Sequence, residues 1–177
     1  MAKCSWIVVA VVSASSMALA GAPRTLVLIW QDPGQLVPRF SPVRAEADRF
    51  LGTLDAEVGW EVGTDPRPAE NDELRIQVVL MPSEPSGWNL PKRAMGVVLL
   101  PDRRQQHSVY LFYPSILRGV GLGRRAGAML TPREHKELAR ALGRVLVHEV
   151  VHAVAPTLSH SEEGLMQDAL HPADAQP

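Results

Sequence analysis

The sequence predicts an α/β domain, and three observations carry that expectation. Apolar, β-rich runs alternate along the chain with stretches of helical spacing. Two of the helical stretches open with proline in the first turn, where its missing N–H is no loss. A length of 177 residues suits one hydrophobic core.

Residues 25 to 31, TLVLIWQ, read as a buried first strand closed by the turn-forming Asp32, Pro33 and Gly34. From Ser41 and Pro42 the pattern becomes helical, with Val43, Ala47, Phe50, Leu51 and Leu54 on one face and Ser41 as the expected cap. A short strand is expected over residues 58 to 62, followed by a polar, proline-bearing loop over 63 to 72. Residues 74 to 81, 95 to 100 and 108 to 113 read as three further strands. The first alternates in part; the other two are apolar on both faces, as strands covered by helices would be. Residues 101 to 106 are few enough to join the last two as a hairpin, and the Gly- and Arg-rich residues 119 to 127 read as a surface loop.

The last element is marked at both ends. Thr131, Pro132 and Glu134 combine an N-cap, a proline at the first helical position and a capping-box glutamate, so a helix starts at Pro132. Pro156 cannot continue it and pushes Ala155 out of helical geometry, so the helix is expected over residues 132 to 154.

Charge and the N-terminal segment narrow the partners. With 18 Lys+Arg against 19 Asp+Glu, nothing favours nucleic acid or an anionic membrane. Residues 1 to 20 have the layout of a secretory signal peptide: Lys3, an apolar run over 6 to 12, and the small-residue end Ala18, Leu19, Ala20. Cleavage before Gly21 would leave residues 21 to 177 as one exported domain, periplasmic or secreted. The apolar run is short for a membrane span. The one cysteine, Cys4, lies in the removable segment and precedes the apolar run, whereas a lipoprotein cysteine would follow it. A mature chain without cysteine has no disulfide, so its stability must come from the core, with a bound metal as an addition.

The chemistry is concentrated on the last helix. Leu138, Ala141, Val145, His148 and His152 recur at helical spacing, so the two histidines continue a stripe that begins as core and are expected in the interior. Arg133, Glu137, Arg140 and Arg144 form the opposite stripe, which turns apolar at Val147 and Val151. Imidazoles four residues apart on a helix can bind one zinc ion, and Glu149 beside the first can take a proton from a water without being a ligand. Zinc lowers the pKa of that water from about 15.7 towards 7, which makes a glutamate an adequate base. Chance gives on the order of 0.01 such H-E-x-x-H patterns in a chain of this composition. A catalytic zinc takes three protein ligands and keeps one open position. His160, Glu162, Glu163 and His171 follow the helix; His160 is ranked first because a short excursion beyond Pro156 reaches it, whereas His171 lies in a Pro/Ala-rich tail.

His148, Glu149, His152, the bend, His160 and then Gly164, Leu165 and Met166 together resemble the metzincin clan of zinc endopeptidases, with its H-E-x-x-H-x-x-G-x-x-H signature and following Met-turn. The resemblance implies His148, His152 and His160 as zinc ligands, Glu149 as general base and Met166 as the floor beneath the metal. It implies a mixed, mostly parallel sheet of four or five strands packed with two main helices. It also places Gly96, Val97, Val98 and Leu99 on an antiparallel edge strand along the substrate groove. Two departures are visible: the family's third histidine falls at Leu158, making the loop two residues longer, and its glycine falls at Ala155. The 11 residues after Met166 lead to the expectation of abbreviated specificity-pocket walls. No tyrosine follows Tyr113 to act as a further ligand, no cysteine switch is available, and no acidic loop spells out a calcium site. The expected function is that of an exported, monomeric zinc-dependent endopeptidase acting on protein or peptide substrates through a zinc-activated water. The alternative is a zinc-binding structural or interaction module without hydrolytic activity.

Overall fold

The computed structural model describes residues 25–54, 56–63, 68–69, 73–88, 90–91, 93–99, 107–125 and 129–160. The expected signal peptide, the 101 to 106 connection, Glu162, Glu163, Met166 and His171 lie outside them. The element order is β1 (Thr25–Gln31), α1 (Ser41–Leu51), β2 (Glu57–Val62), β3 (Glu73–Met81), β4 (Gly96–Leu99), β5 (His107–Phe112), α2 (Tyr113–Gly119), a 3-10 turn (Gly123–Arg125) and α3 (Pro132–Val154). The five strands form one sheet in the order β2-β1-β3-β5-β4. All neighbours are parallel except β4, which pairs antiparallel with β5 from Gly96↔Leu111 to Leu99↔Ser108. The chain is thus a mixed α/β domain with a mostly parallel sheet and two main helices. No helix among the described residues is long and apolar enough to cross a membrane.

Period two explains which face is covered. Leu26, Leu28 and Trp30 of β1, Ile76, Val78 and Leu80 of β3, and Val109 and Leu111 of β5 all join one core with Val43, Ala47 and Leu51 of α1 and Leu138, Leu142 and Leu146 of α3. Each such side chain contributes about 1.5–3 kcal/mol by leaving water. The alternate residues Val27 and Ile29 are buried too, but stand outside that cluster on the other face. That second face also holds Arg75, 3 % exposed, between the carboxylates of Glu61 and Glu73. Among the described residues the helices do not lie on both faces as expected: α1 and α3 share one face, and the other mixes apolar residues with an ion-paired arginine. The burial expected for the strand over 95 to 100 is corrected as well, since edge strand β4 is half-buried and Leu99 is 42 % exposed.

Helix boundaries follow local chemistry. At α3 the Thr131 hydroxyl accepts from the Glu134 N–H at 3.3 Å while the Glu134 carboxylate accepts from the Thr131 N–H at 2.7 Å, the expected capping box. At α1 the cap differs from expectation: Phe40 precedes the helix without a side-chain bond, and Ser41 is its first residue. Tyr113 opens α2 instead of ending a strand, with a proline in the first turn after extended Phe112. Of the loop expected over 119 to 127, the described residues 119 to 125 are not simply surface, because Leu122 is buried and its N–H bonds the Leu117 carbonyl at 2.8 Å.

Helices α1 and α3 approach most closely at Gly143, where a Cβ would lie 2.9 Å from the Val43 carbonyl oxygen and 2.8 Å from Glu46 Cβ. Beside that crossing the nearly buried Glu46 carboxylate accepts from Arg144 and Arg49, both at 3.0 Å, tying the two helices together. The crossing sets the height of α3 against the sheet, and with it the position of the helix's last turns.

Candidate metal centre

The last two turns of α3 leave the core gradually. Leu138, Ala141 and Val145 are buried, whereas His148 and His152 on the same stripe are half-buried, which corrects the expectation of two interior imidazoles. Half-burial suits a ligand pair that must stay open to an incoming molecule. The two rings lie 4.8 Å apart between centroids, one turn along one face.

Beyond Val154 the chain turns back. Ala155 leaves helical geometry at φ −130° while its N–H still bonds the Val151 carbonyl at 2.8 Å. Pro156 has no N–H to continue the ladder, and the Leu158 N–H closes a turn on the Ala155 carbonyl at 3.0 Å. The turn delivers His160 to the pair. Its ring stacks on His148 at 5.2 Å and meets His152 edge-on at 4.8 Å. The Nε2 atoms of His152 and His160 are 3.0 Å apart.

Nitrogens from all three rings lie within 4.8 Å of one another, close enough to hold one metal ion. Tetrahedral zinc with bonds of about 2.0–2.1 Å would place its nitrogens about 3.3 Å apart, so small ring adjustments convert the observed cluster into a ligand set. The donor chemistry agrees, since three neutral imidazoles suit zinc and its neighbours and not the oxygen-seeking magnesium or calcium. The longer loop, with Ala155 where a glycine was expected, therefore does not keep His160 away. Burial holds the His152 pKa below the ordinary imidazole value, and the facing His148 and His160 lower it further, favouring the neutral form that a metal needs.

Glu149 points off the same turn and is 8 % exposed. Loss of solvent around its carboxylate pushes its pKa up to about 7. The side chain lies against Gly96 of β4, so the expected edge strand and the expected base are in contact. Gly96 and Val98 face the helices; Val97 and Leu99 point to the other side of the sheet. Among the described residues the outer edge of β4 has no strand neighbour, and an edge of that kind offers backbone groups with which an extended chain can pair.

His107 escaped the sequence reading, which began that strand one residue later. It is the first residue of β5, and its ring hydrogen-bonds the backbone of Ala153 in the last turn of α3. That bond satisfies a carbonyl left without a helical partner beside His152. Burial lowers the His107 pKa, and its Nδ1 is buried without a hydrogen-bond partner. No local pattern marks such a residue; only the pairing of β5 with β3 brings it to the helix end.

Comparison with models of known families, with curated protein sequences and with solved structures finds no match to this chain.

Proposed function

We propose that the chain is an exported zinc-dependent endopeptidase of the metzincin kind, with His148, His152 and His160 as zinc ligands and Glu149 as general base. The observation that carries the reading is the convergence of three imidazoles, two of them on one helical face, with a buried carboxylate on the intervening turn. The antiparallel edge strand beside that carboxylate supports a peptide as substrate, because an extended chain pairs with a free edge through main-chain bonds. The signal-like residues 1 to 20 support export, and the near-neutral charge gives no reason to prefer nucleic acid or membrane.

Zinc, when bound, lowers the pKa of a water towards 7 and polarises the scissile carbonyl. The three histidines would hold the metal, two from the helix face and one from the returning turn. Glu149 accepts the proton of the attacking water at its carboxylate as the oxygen adds to the carbonyl carbon. It then gives the proton to the amine nitrogen as the C–N bond breaks, so it ends unprotonated. In the metal-free protein burial raises the pKa of this carboxyl, which favours its holding the proton between the two transfers.

Zinc content of the purified protein and of His148→Ala and His152→Ala, measured with cleavage of a peptide library, tests the reading. One zinc per chain is expected in the parent and loss of it in both variants, while Glu149→Ala should keep zinc and lose cleavage. Stoichiometric zinc surviving both histidine substitutions would sink the ligand assignment, and a zinc-loaded parent that cleaves nothing would favour the non-hydrolytic module.

A further inference from the structure

We infer that Gly96 is a positioning residue: the missing side chain at this one place on β4 is what seats the Glu149 carboxylate against the strand, on the helix turn that carries His148 and His152. The inference rests on Glu149 being the base and adds a requirement on the strand opposite it. A Cβ built at Gly96 would lie 2.8 Å from Glu149 Cγ, 2.8 Å from Oε1 and 3.0 Å from Cδ. Cγ and the carboxylate carbon Cδ both stay in place when the carboxylate turns about the bond between them, so that rotation alone does not clear the overlap.

Neither backbone can step aside cheaply, so relief of the overlap falls to the Glu149 side chain, which must leave its rotamer and carry the carboxylate away. Glu149 sits inside a 23-residue helix between buried Val147 and Val150, so its Cα is fixed by the core. Gly96 is fixed by its pairing with Leu111, and next to it the Phe112 N–H bonds the Met95 carbonyl at 2.8 Å. The backbone gives no other reason for glycine. Positive φ occurs at Gly63, Gly87 and Gly121 and not at Gly96, which lies in ordinary strand where glycine is a weak choice. Its strand neighbours Val97, Val98 and Leu99 are all large. A strand glycine often marks a close approach; at Gly59 of β2 a Cβ would meet nothing nearer than 3.6 Å, whereas at Gly96 the carboxylate side chain does approach.

The test is a double-substitution cycle between Gly96→Ala and Glu149→Ala, read by melting temperature in the full-length protein, together with steady-state kinetics and zinc content of Gly96→Ala. Gly96→Ala is expected to lower the melting temperature when Glu149 is present and to leave it unchanged or raise it in the Glu149→Ala background, where the space is free. If Gly96→Ala does not fold alone, its recovery in the Glu149→Ala background reports the same contact. In the folded zinc-loaded variant, kcat should fall on the order of 100-fold, the scale of an ångström-sized misplacement of a catalytic group. KM should stay within about twofold and zinc should remain at one per chain, separating loss of the base's position from loss of binding. Equal melting shifts in both backgrounds, or an unchanged kcat in an active parent, would overturn the inference. A parent that never cleaves peptide but shows the coupling would remove the endopeptidase reading and leave the seat standing.

Discussion

Replacing Glu149 by glutamine in metal-free protein should stabilise the fold at alkaline pH and do almost nothing at acid pH. The side chain is 8 % exposed, and burial moves its pKa from 4.5 to about 7. Between those values the native state binds a proton that the unfolded chain has released, so stability falls as pH rises from 4.5 to about 7 and is level above that. The difference of about 2.5 pH units corresponds to about 3 kcal/mol at 1.36 kcal/mol per unit. Glutamine keeps the shape and has no charge to desolvate, so it should recover most of that amount at pH 8. The measurement is urea unfolding of parent and Glu149→Gln with chelator present, at half-unit steps from pH 4 to 8. Subtracting the two curves removes the histidines, which titrate in both proteins. A difference that does not change with pH would mean that Glu149 is solvated, and the account of it as a base tuned by burial would fail.

Three further outcomes are expected. Gly143→Ala gains up to about 1 kcal/mol of helix propensity, but its Cβ meets the Val43 carbonyl oxygen at 2.9 Å; overpacking of about 1–3 kcal/mol should win, so chemical denaturation should find it less stable than the parent. His107 is held below its ordinary pKa, so the stability it supports is present above about pH 6.5 and is lost as pH falls, because the unfolded chain protonates first. His107→Phe should make unfolding less acid-sensitive between pH 6.5 and 5 while freeing the end of α3, and an unchanged pH profile would remove that role. Thr131→Ala, which breaks the capping box, should lower stability by about 1 kcal/mol in the same denaturation experiment with little effect on metal content.

Features written in adjacent residues were legible, and features made by pairing were not. The bounds of α3 could be read because Thr131, Pro132, Glu134 and Pro156 act within one turn. His148, Glu149 and His152 could be read because spacing on a helix fixes direction. Helix α2 could not, since seven residues are too few for a periodicity and Tyr113 continues the apolar run of β5. Which face of the sheet the helices cover was misread from Val97, Val98, Leu99 and Leu100, whose apolarity suited either a central strand or an edge. The burial of the histidines was overstated because the stripe pattern tells direction but not where the core ends. Contacts such as Gly96 to Glu149 and His107 to Ala153 join residues dozens of positions apart, and only the pairing of β5 with β4 and with β3, and the packing of that sheet on α3, create them.

His160 differs in kind from the other two candidate ligands, and the difference is measurable. Residues 156 to 160 are all exposed, and the Leu158 turn is the backbone bond that shapes them. His152 instead belongs to a helix whose neighbouring Ala153 is buried and bonded to His107. A surface substitution usually changes stability by less than about 0.5 kcal/mol, so His160→Ala should leave the melting temperature of the metal-free protein nearly unchanged. A metal bound only by the native state adds about 4.1 kcal/mol at a free concentration 1,000 times its dissociation constant. Because His160 would supply one of the three ligands, most of that zinc-dependent gain should disappear in the variant. Thermal melts of parent and His160→Ala, each with chelator and with zinc, separate the two contributions. A variant that loses stability with chelator but keeps the full zinc-dependent gain would place His160 in the scaffold and require another third ligand.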